Sequence, residues 1–441
     1  MSTEPNQYDV HVVRARVKTY SAQMMLEAAA LLAGITTRRH DRRRFCAEAE
    51  HGDDVCFFLS RLASMPRSAF RAVKDKAETR RMLASQGLPV PEGRSFTTTQ
   101  LDAARHYART IGYPVVVKPA SGRQGLGVTA GIADARAFDA ALGAALDAGF
   151  DDGRILVERH VSGRDLRVLA TGRRSLSVIE RLPASVVGDG RSTIRELVER
   201  KNEARRFNPY LKSKPIELDR EPALLERRGL GPTSVPPVGM TVILSSVANL
   251  SRGGDSVELS ATTHPSITEA AARAVRAIEG LAYGGVDILV EDPTLPLDGQ
   301  RAAVIEINGT PDIMMHPFPV FGAPVNVAAA LIEAFVPNVG HAPRAPASDR
   351  LRALVRISGR VTRVGYRRWL ARRANRLGVV GWVRNDGDDV EAYLEGSAPR
   401  VAMLVSAAAR GPAAASVEAI RTRPLDVSEV LVPPGFAIVA R

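Results

Sequence analysis

Two hydrophobic periods alternate along this chain, one of about 3.6 residues and one of about two. Residues 21–33 have the helical period, which ends at Gly34, and the segment TEAAARAVRAIEGL repeats it further on. The segment DKAETRRMLASQGLPVPEG predicts a helix over 76–86, because Asp75 can cap its start and Gly87 can end it. These stretches are the clearest helices in the pattern.

Short apolar runs rich in Val and Ile lie between these helices and predict strands. They are PVVVK at 114–118, RILVERHV at 154–161, YGGVDILVED and AAVIEING. A glycine-rich turn follows the first run, and Ser162-Gly163 follows the second. The central part of the chain is therefore a mixed region of helices and strands, without an internal repeat.

Residues 351–441 follow an order of their own. After the Pro- and Ala-rich stretch HAPRAPASDR, the pattern predicts a strand, a helix, two strands, a second helix and closing strands. This βαββαβ order is that of a ferredoxin-like domain. We therefore expect a multidomain chain of the α+β or α/β class, divided into residues 1–68, 69–338, a linker at 339–350, and 351–441.

The chain of 441 residues carries a formal net charge of +12, which can indicate a nucleic-acid or membrane partner. Its basic residues are 53 arginines and only 7 lysines, scattered among alanines and glycines. The one dense run, RRHDRRR at 38–44, has no interleaved aromatic residues, and we interpret it as a solvated face. We therefore expect neither nucleic acid nor membrane as a partner.

Cys46 and Cys56 fit neither a disulfide framework nor a paired metal-binding motif, so a reducing cytosol is expected. The N-terminus is polar and lacks an apolar core segment, and no apolar run is long enough to span a membrane. These features predict a cytoplasmic protein. They leave the oligomeric state open, a homo-oligomer included.

Seven stretches carry a resemblance to a known superfamily: DKAETRRMLASQGLPVPEG, YPVVVKPASGRQGLGV, ILVERHVSGRDLRVL, VVGDGRSTIRELVERKN, NLSRGGDSVELS, GGVDILVED and VIEINGTPDIMMH. Through their order and spacing, residues from about 70 to 335 resemble the ATP-grasp carboxylate–amine ligases, most closely the ATP-grasp portions of cyanophycin synthetase and of bifunctional glutathione synthetases. The resemblance implies that ATP phosphorylates a small-molecule or peptide carboxylate, and that an amine then displaces phosphate from the acyl phosphate.

Lys76 and Lys118 stand where the resemblance places the lysines that contact the phosphates of ATP. They are two of the few lysines in an arginine-rich chain. Gly122, Gly125 and Gly127 allow a loop to close over the phosphates with its backbone N–H groups pointing inward. The other interpretation of this glycine-rich stretch is an ordinary hairpin turn.

The pattern E-x-x-V-x-G-x-D matches the part of the superfamily that holds the nucleoside. It places Glu158 and Val161 against adenine and Asp165 on the ribose hydroxyls. Each residue alone could be a surface charge or a core residue. Arg252 is a catalytic candidate for stabilising the transferring phosphoryl group, and Arg167 is a second candidate.

Asp287, Glu306 and Asn308 match the superfamily's ligands of two Mg²⁺ ions, for which Mn²⁺ can substitute. Glu306 and Asn308 alternate, so they share one face of their predicted strand. An acidic residue in a run as apolar as AAVIEI is costly to bury without such a partner. The other interpretation is a solvated strand edge. His316 is a candidate for the acceptor side.

Residues 351–441 resemble acylphosphatase through SGRVTRVGYR, LGVVGWVRND, VEAYLEG, ARGPAAASVEAI and GFAIVAR. The resemblance implies that Arg367 closes a phosphate-binding loop and that Asn385 orients the attacking water. Thr362 and Arg363 replace the usual Gln-Gly pair of that loop. We expect a bulky residue at the glycine position to strain the loop.

Together these features predict an ATP-dependent ligase joined to a hydrolase that removes misactivated or released acyl phosphates, as in editing. Within the enzyme class, the alternative is a chain that releases the acyl phosphate as its product, so that the terminal domain makes it a substrate-dependent ATPase. Two further alternatives stay open at this point. The terminal module could be inactive and serve packing or ligand sensing, or the whole chain could be a regulatory protein that senses ATP.

Overall fold

The structure of the chain is a computed structural model that describes residues 5, 6, 8, 21–49, 52–120, 127–148, 153–337, 350–425 and 435–440. Its helices in this part of the chain are α1 (Ala22–Leu32), α2 (Arg67–Lys74), α3 (Lys76–Ser85), α4 (Leu101–Ile111), α5 (Ala135–Asp147), α6 (Ile194–Arg205), α7 (Pro222–Glu226), α8 (Pro265–Arg276), α9 (Val327–Phe335), α10 (Tyr366–Leu377) and α11 (Ala398–Ala408).

The strands in the same part are β1 (Thr37–Arg39), β2 (Arg44–Ala47), β3 (Val55–Phe58), β4 (Arg61–Leu62), β5 (Gly93–Thr97), β6 (Val115–Pro119), β7 (Thr129–Ile132), β8 (Arg154–Arg159), β9 (Arg164–Thr171), β10 (Ser175–Leu182), β11 (Ser185–Val187), β12 (Thr241–Ile243), β13 (Asp255–Glu258), β14 (Tyr283–Val290), β15 (Ala302–Asn308), β16 (Arg350–Arg360), β17 (Val380–Asp386), β18 (Asp389–Ser397), β19 (Ser416–Pro424) and β20 (Phe436–Ile438). Two single turns of 3-10 helix, Leu218–Arg220 and Leu250–Arg252, complete the described elements.

The helix expected over 76–86 is confirmed as α3. The Asp75 carboxylate accepts hydrogen bonds from the backbone N–H groups of Ala77 and Glu78, each at 3.0 Å, which satisfies two donors of the first turn. Gly87 follows the helix with a φ of 65°, a conformation that glycine adopts without strain. In the described part of the chain, no helix is long and apolar enough to cross a membrane.

The chain folds into two compact units, each drawn from separated stretches. The first unit comprises residues 1–64, 183–255 and 312–441, and the second comprises 65–182 and 256–311. The boundaries expected from the sequence run linearly along the chain and stay a prediction, and the expected linker lies almost entirely outside the described residues.

The second unit holds two antiparallel sheets. A four-stranded sheet has the order β5-β8-β6-β7, and a five-stranded sheet has the order β13-β10-β9-β14-β15. Helices α4 and α5 bury the apolar face of the four-stranded sheet around Phe96, Phe138 and Ile155. Helix α8 packs against β9, β10 and β14 of the other sheet, which leaves the opposite face of that sheet for polar residues.

The first unit contains a nine-stranded sheet with the order β20-β17-β18-β16-β19-β1-β2-β3-β4. Its central strands, with α10 and α11, give the βαββαβ order and confirm the ferredoxin-like layout. The outward-facing arginines of β16 pair with acidic residues of β18. Arg356 lies 2.7 Å from Asp389, and Arg352 lies 3.2 Å from Glu395. One face of this part of the sheet is therefore a solvated surface of ion pairs.

The N-terminal strands extend this sheet. Thr37 of β1 pairs with Thr422 of β19, so residues near the two ends of the chain form one antiparallel ladder. Cys46 and Cys56 lie directly opposite each other on β2 and β3 and form a disulfide. The expectation that these cysteines stay unbridged is wrong, because the tight pairing of β2 and β3 brings the two side chains together on one face.

Arg39, inside the basic run expected to be a solvated face, is buried. Its guanidinium forms an ion pair with Glu27 of α1, and both side chains are 0% exposed. Gln23 and Thr37 complete the hydrogen bonds of this pair. The interpretation of the run is therefore wrong at Arg39, which faces α1. It holds for Arg38, whose side chain is 44% exposed beside Asp54.

Candidate functional site

One face of the five-stranded sheet gathers charged side chains that the sequence analysis singled out. The strand register places Asp165 of β9 opposite Arg181 of β10, and Arg167 of β9 opposite Asp287 of β14. Asp287 is in turn opposite Glu306 of β15. Residues that pair across neighbouring strands share a face, so these five side chains form one row across four strands.

The alternation of the strands explains this row. Asp165 and Arg167 are two positions apart on β9, as are Glu306 and Asn308 on β15, so each pair faces the same way. The intervening Leu166 is fully buried on the other face. The Asn308 side chain lies on the same face and contacts the Gly285 carbonyl at 3.5 Å. A charged face has thus formed on strands whose other face is apolar.

Two arginines neutralise the central carboxylates. Arg167 donates to both oxygens of Asp287, at 3.1 Å to Oδ2, and Arg181 Nη2 lies 3.1 Å from the same Oδ2. Arg181 also donates to Asp165 through Nε at 3.1 Å and Nη2 at 2.5 Å. Burial alone would raise the pKa of Asp287, but the two guanidinium groups outweigh it and hold that pKa below its usual range.

The pKa of Asp165 shifts in the opposite direction from that of Asp287. Burial raises its pKa, and the neighbouring Asp287 charge adds to this effect, against the opposing influence of Arg181. For Arg181, burial favours the neutral form, yet the charges of Asp287 and Asp165 raise its pKa. The face is therefore a coupled network of two carboxylates and two guanidinium groups.

The four-stranded sheet contributes Lys118, one of the two lysines predicted to contact the phosphates. Lys118 of β6 and Glu158 of β8 form an ion pair at 2.5 Å, and their side chains are 10% and 5% exposed. Lys76, at the start of α3, lies 4.0 Å from Glu306. Lys76, Glu158 and Glu306 line one cavity of the second unit together with Arg80. The structure thus brings together the predicted lysines, the glutamate predicted to contact adenine and a predicted metal ligand.

The glycine-rich loop is described only in part. Gly122 and Gly125 lie outside the described residues. Gly127 has a φ of 69°, and a Cβ at this position would lie 2.8 Å from the Cβ of Ala148. Glycine is therefore required where the loop rejoins the sheet. Val161 lies two residues after β8 and is partly buried, and its contact with adenine stays a prediction.

The predicted metal ligands are arranged as oxygen donors on adjacent strands. In the described part of the chain, no group of three or more His, Cys, Asp or Glu side chains could hold a metal ion by itself. Asp287, Glu306 and Asn308 supply two carboxylates and one amide oxygen on one face. This set fits Mg²⁺, which binds through one or two carboxylates and completes its shell with water and substrate phosphates.

Arg252 and His316 belong to the first unit. Arg252 ends the short 3-10 turn that precedes Gly253, whose φ is 89°. Burial alone would raise the pKa of Glu221. The hydrogen bonds from Ser246 and Ser245, together with the charge of Arg252, outweigh burial and lower that pKa. His316 is fully buried. The roles expected for both residues stay predictions.

A second polar centre lies at the start of α10. Strand β16 leads into the loop 361–365, and Gly365 with a φ of 77° begins the helix. The Tyr366 hydroxyl donates to the Ala408 carbonyl at 2.6 Å, which anchors this end of α10 to α11. The free N–H groups of the first helical turn favour an anion here.

Arg367 and Asn385 are the residues predicted to act at this centre. Arg367 lies in the first turn of α10, and Asn385 lies on β17, against which α10 packs. Asn385 faces the helices, because it alternates with the buried Gly381 and Val383. Among the described residues, neither side chain has a hydrogen-bond or ion-pair partner. Both are therefore available to a ligand.

Two family models match stretches of the chain that contain residues of both centres. Residues 75–167 match the model described as carbamoyl-phosphate synthase L chain, ATP binding domain, and residues 353–438 match the acylphosphatase model. The chain joins an ATP-grasp domain to an acylphosphatase domain. The ATP-grasp match covers Lys76, Lys118, Glu158 and Asp165, and the acylphosphatase match covers Arg367 and Asn385.

The relatives are similar to most of this chain. Cyanophycin synthetase of Trichormus variabilis is 38% identical over 325 residues, which are 73% of this chain and 34% of the relative. The glutathione biosynthesis bifunctional protein GshAB of Mannheimia succiniciproducens is 34% identical over 258 residues, which are 57% of this chain and 33% of the relative. This chain thus spans about a third of the length of these curated relatives.

A solved structure is also similar to this chain. The crystal structure of a bifunctional glutathione synthetase from Pasteurella multocida has a TM-score of 0.49 and 28% identity. The match covers 67% of this chain and 41% of that one.

Two arginines of the candidate site were not predicted from the sequence. Arg181 lies in ERLPA, where nothing local distinguishes it from the adjacent Glu180, and only the pairing of β10 with β9 shows that it faces Asp165. Arg80 follows Lys76 by one helical turn, and its Nε is buried beside the cavity without a partner among the described residues. The helical spacing of Lys76 and Arg80 was the available signal.

Proposed function

We propose that this protein is an ATP-dependent ligase that activates a carboxylate as an acyl phosphate and joins it to an amine, and that its acylphosphatase domain hydrolyses acyl phosphates. The observation that supports this most directly is the charged row on the five-stranded sheet in a chain whose acylphosphatase domain carries Arg367 and Asn385. One site can make an acyl phosphate, and the other can break it.

In the ligase step, a carboxylate oxygen attacks the γ-phosphorus of ATP and ADP leaves. An amine nitrogen then attacks the acyl carbon, loses a proton and releases phosphate. Lys76 and Lys118 neutralise the phosphates, and Asp165 accepts hydrogen bonds from the ribose hydroxyls. Asp287, Glu306 and Asn308 would hold Mg²⁺, which supplies further charge neutralisation when bound. Arg167 and Arg252 are the candidates for the transferring phosphoryl group.

In the hydrolase step, water attacks the phosphorus of an acyl phosphate, and carboxylate and phosphate are released. Arg367 binds the phosphate through its planar fork, together with backbone N–H groups of the loop 361–365. The Asn385 amide orients the water. This domain would remove acyl phosphates that no amine has captured, which is the logic of editing. A cytoplasmic location suits these substrates and stays a prediction.

The hydrolase half can be tested alone with benzoyl phosphate. We expect wild-type protein to hydrolyse it, and Arg367→Met to lose at least about a hundredfold in kcat/KM. Arg368→Met is the matched control, because Arg368 is the exposed neighbour in the same helical turn. If Arg367→Met keeps full activity, or if wild type has none, the domain instead serves packing or sensing.

The ligase half is tested by ADP release from Mg-ATP across a panel of amino acids and short acidic peptides. Stimulation by a carboxylate and an amine, with loss in Lys118→Met, is the expected result. A wild type that binds ATP without turning it over under any combination would favour the alternative of an ATP-sensing regulatory protein.

A further inference from the structure

Arg181 connects the two carboxylates that the nucleotide and the metal are expected to use. Its guanidinium lies 2.5 Å from Asp165 Oδ1 and 3.1 Å from Asp287 Oδ2. The side chain is only 15% exposed, and that of Asp287 is 6% exposed. A guanidinium can bridge two carboxylates because its donors form a rigid planar fork.

Arg167 occupies the remaining side of Asp287. It donates to both oxygens of that carboxylate, so Asp287 accepts hydrogen bonds from two different guanidinium groups. Each carboxylate oxygen has two lone pairs, and Asp287 therefore keeps some capacity for a further ligand. The negative charge of Asp287, however, is already balanced by the guanidinium groups of Arg167 and Arg181.

The formal charges of the row cancel when Lys76, which lies beside Glu306, is counted with it. Asp165, Asp287 and Glu306 are the carboxylates, and each lies within 4.0 Å of at least one of the cations Arg181, Arg167 and Lys76. A free divalent cation gains little Coulomb energy from a region of zero net charge. A cation that arrives with the polyphosphate of a nucleotide brings its own counter-charge and most of its oxygen ligands.

We propose that Arg181 is a positioning residue that keeps this site from binding a divalent metal until the metal arrives together with nucleotide phosphates. The inference rests on the proposed function, since it assumes that this face is the nucleotide site. It assigns to Arg181 a role that the lysines and Arg167 do not share, because Arg181 is the cation that pairs with both Asp165 and Asp287.

Removal of Arg181 would leave three carboxylates against two cations. Asp165 and Asp287 would lose their common counter-ion and become oxygen donors for a metal without nucleotide. The variant should therefore gain a property that wild type lacks. If Arg181 only stabilised the fold, its replacement would weaken the function of the protein and would not create metal binding without nucleotide.

The test measures the Mn²⁺ retained with the protein in equilibrium dialysis, with and without the imido analogue of ATP, because the analogue itself binds Mn²⁺ in solution and only the excess on the protein side reports the site. Wild type should bind Mn²⁺ at least about tenfold more tightly with the analogue than without it. Arg181→Met should bind Mn²⁺ without nucleotide at least about tenfold more tightly than wild type. Arg181→Lys keeps the charge and should restore the wild-type discrimination.

Arg164→Met is the matched control. Arg164 lies on β9 beside Asp165, faces the other side of the sheet, and pairs with Glu180 of β10 at 2.6 Å. Its replacement removes an arginine ion pair between the same two strands without changing the charge of the row. We expect its Mn²⁺ binding to equal that of wild type in both conditions.

Wild type alone can overturn the inference, so the result does not depend on whether Arg181→Met folds. If wild type binds Mn²⁺ equally with and without the analogue, or does not bind it in either condition, the inference fails. It also fails if Arg181→Met folds, as judged by circular dichroism, and shows no gain. Failure of the proposed function is a separate result, namely the absence of ADP release with any carboxylate and amine.

Discussion

Arg363 is the residue at which the acylphosphatase loop departs from the glycine of its family, and its φ of 58° lies in the left-handed region. This conformation costs a non-glycine residue about 1–2 kcal/mol. Substitution by glycine removes that strain, but glycine loses more backbone entropy on folding, which offsets part of the stabilisation. Arg363→Gly should therefore raise the free energy of unfolding by about 0.5–1 kcal/mol. Thr362→Gly removes no left-handed side chain and should lower it.

Tryptophan fluorescence in a urea titration can measure this change. Both tryptophans of the chain, Trp369 and Trp382, lie in the acylphosphatase domain, so their emission follows the unfolding of that domain. A midpoint that falls in Arg363→Gly, as it should in Thr362→Gly, would show that the left-handed residue carries no strain.

Lys214 should titrate far below an ordinary lysine. Its ammonium lies 3.1 Å from the centre of the Tyr210 ring and 3.8 Å from Asp312, and burial lowers its pKa to about 8. Burial disfavours the charged form more than Asp312 restores it. Above pH 8, the neutral amine should therefore be the main form in the folded protein.

Competitive acetylation across a range of pH, followed by mass spectrometry, tests this prediction. The ratio of Lys214 reactivity to that of N-acetyl-lysine amide in the same solution should be constant below about pH 8 and fall above it, because Lys214 is then already neutral while the reference amine is still losing its proton. Denatured protein is the control, and its ratio should stay constant across the range. A ratio that stays constant to the end of the range in folded protein would contradict the expected burial effect.

Residue types and spacing predicted which side chains would share the charged face of the five-stranded sheet. Asp165 and Arg167, like Glu306 and Asn308, are two positions apart in strand-like runs, and the structure places all four on one face. Their partner Arg181 could not be predicted, because its orientation depends on the register between β9 and β10. Register is set by long-range pairing and by the core, which local pattern does not show.

At the scale of elements, α1 and β1 are joined by the buried pair of Glu27 and Arg39. Removing one partner of a buried pair leaves an uncompensated charge and costs about 3–5 kcal/mol. Arg39→Met should therefore destabilise the first unit by about that amount. The double variant Arg39→Met with Glu27→Leu removes both charges and should recover most of the loss.

Urea unfolding followed by tryptophan fluorescence can measure this effect, because α1 packs against α11 of the acylphosphatase domain. Arg38→Met is the control. Its ion pair with Asp54 is exposed, so its loss should cost less than about 1 kcal/mol. A double variant as unstable as Arg39→Met would show that the pair acts through specific hydrogen bonds rather than through an unmatched charge.

The order of elements was predictable where the hydrophobic period is strong. The helix after Asp75 and the ferredoxin-like order near the C-terminus are confirmed. The N-terminal strands could not be predicted from the sequence, because β1 is short and its partner β19 lies near the opposite end of the chain. The disulfide of Cys46 and Cys56 depends on the same unpredicted hairpin.

At the scale of the whole molecule, the sequence predicted an ATP-grasp fold and an acylphosphatase domain, and both are confirmed. The compact units are discontinuous in sequence, which a linear search for linkers cannot detect. Substrate choice is also a property of the whole chain. The relatives, of which this chain spans about a third, carry further length that this chain does not match.

The central claim is that the two domains act in series on one acyl phosphate. The measurement that tests it most directly is ADP release from Mg-ATP with a single carboxylate and no amine, in wild type beside Asn385→Ala. Asn385→Ala should leave the phosphorylation of the carboxylate intact and stop hydrolysis of the product.

We predict that one carboxylate stimulates continuous ADP and phosphate release in wild type, and that Asn385→Ala releases ADP only until the acyl phosphate accumulates. Addition of an amine should restore turnover in the variant. Turnover that requires an amine in both proteins, at equal rates, would contradict the account and leave a ligase without an editing domain.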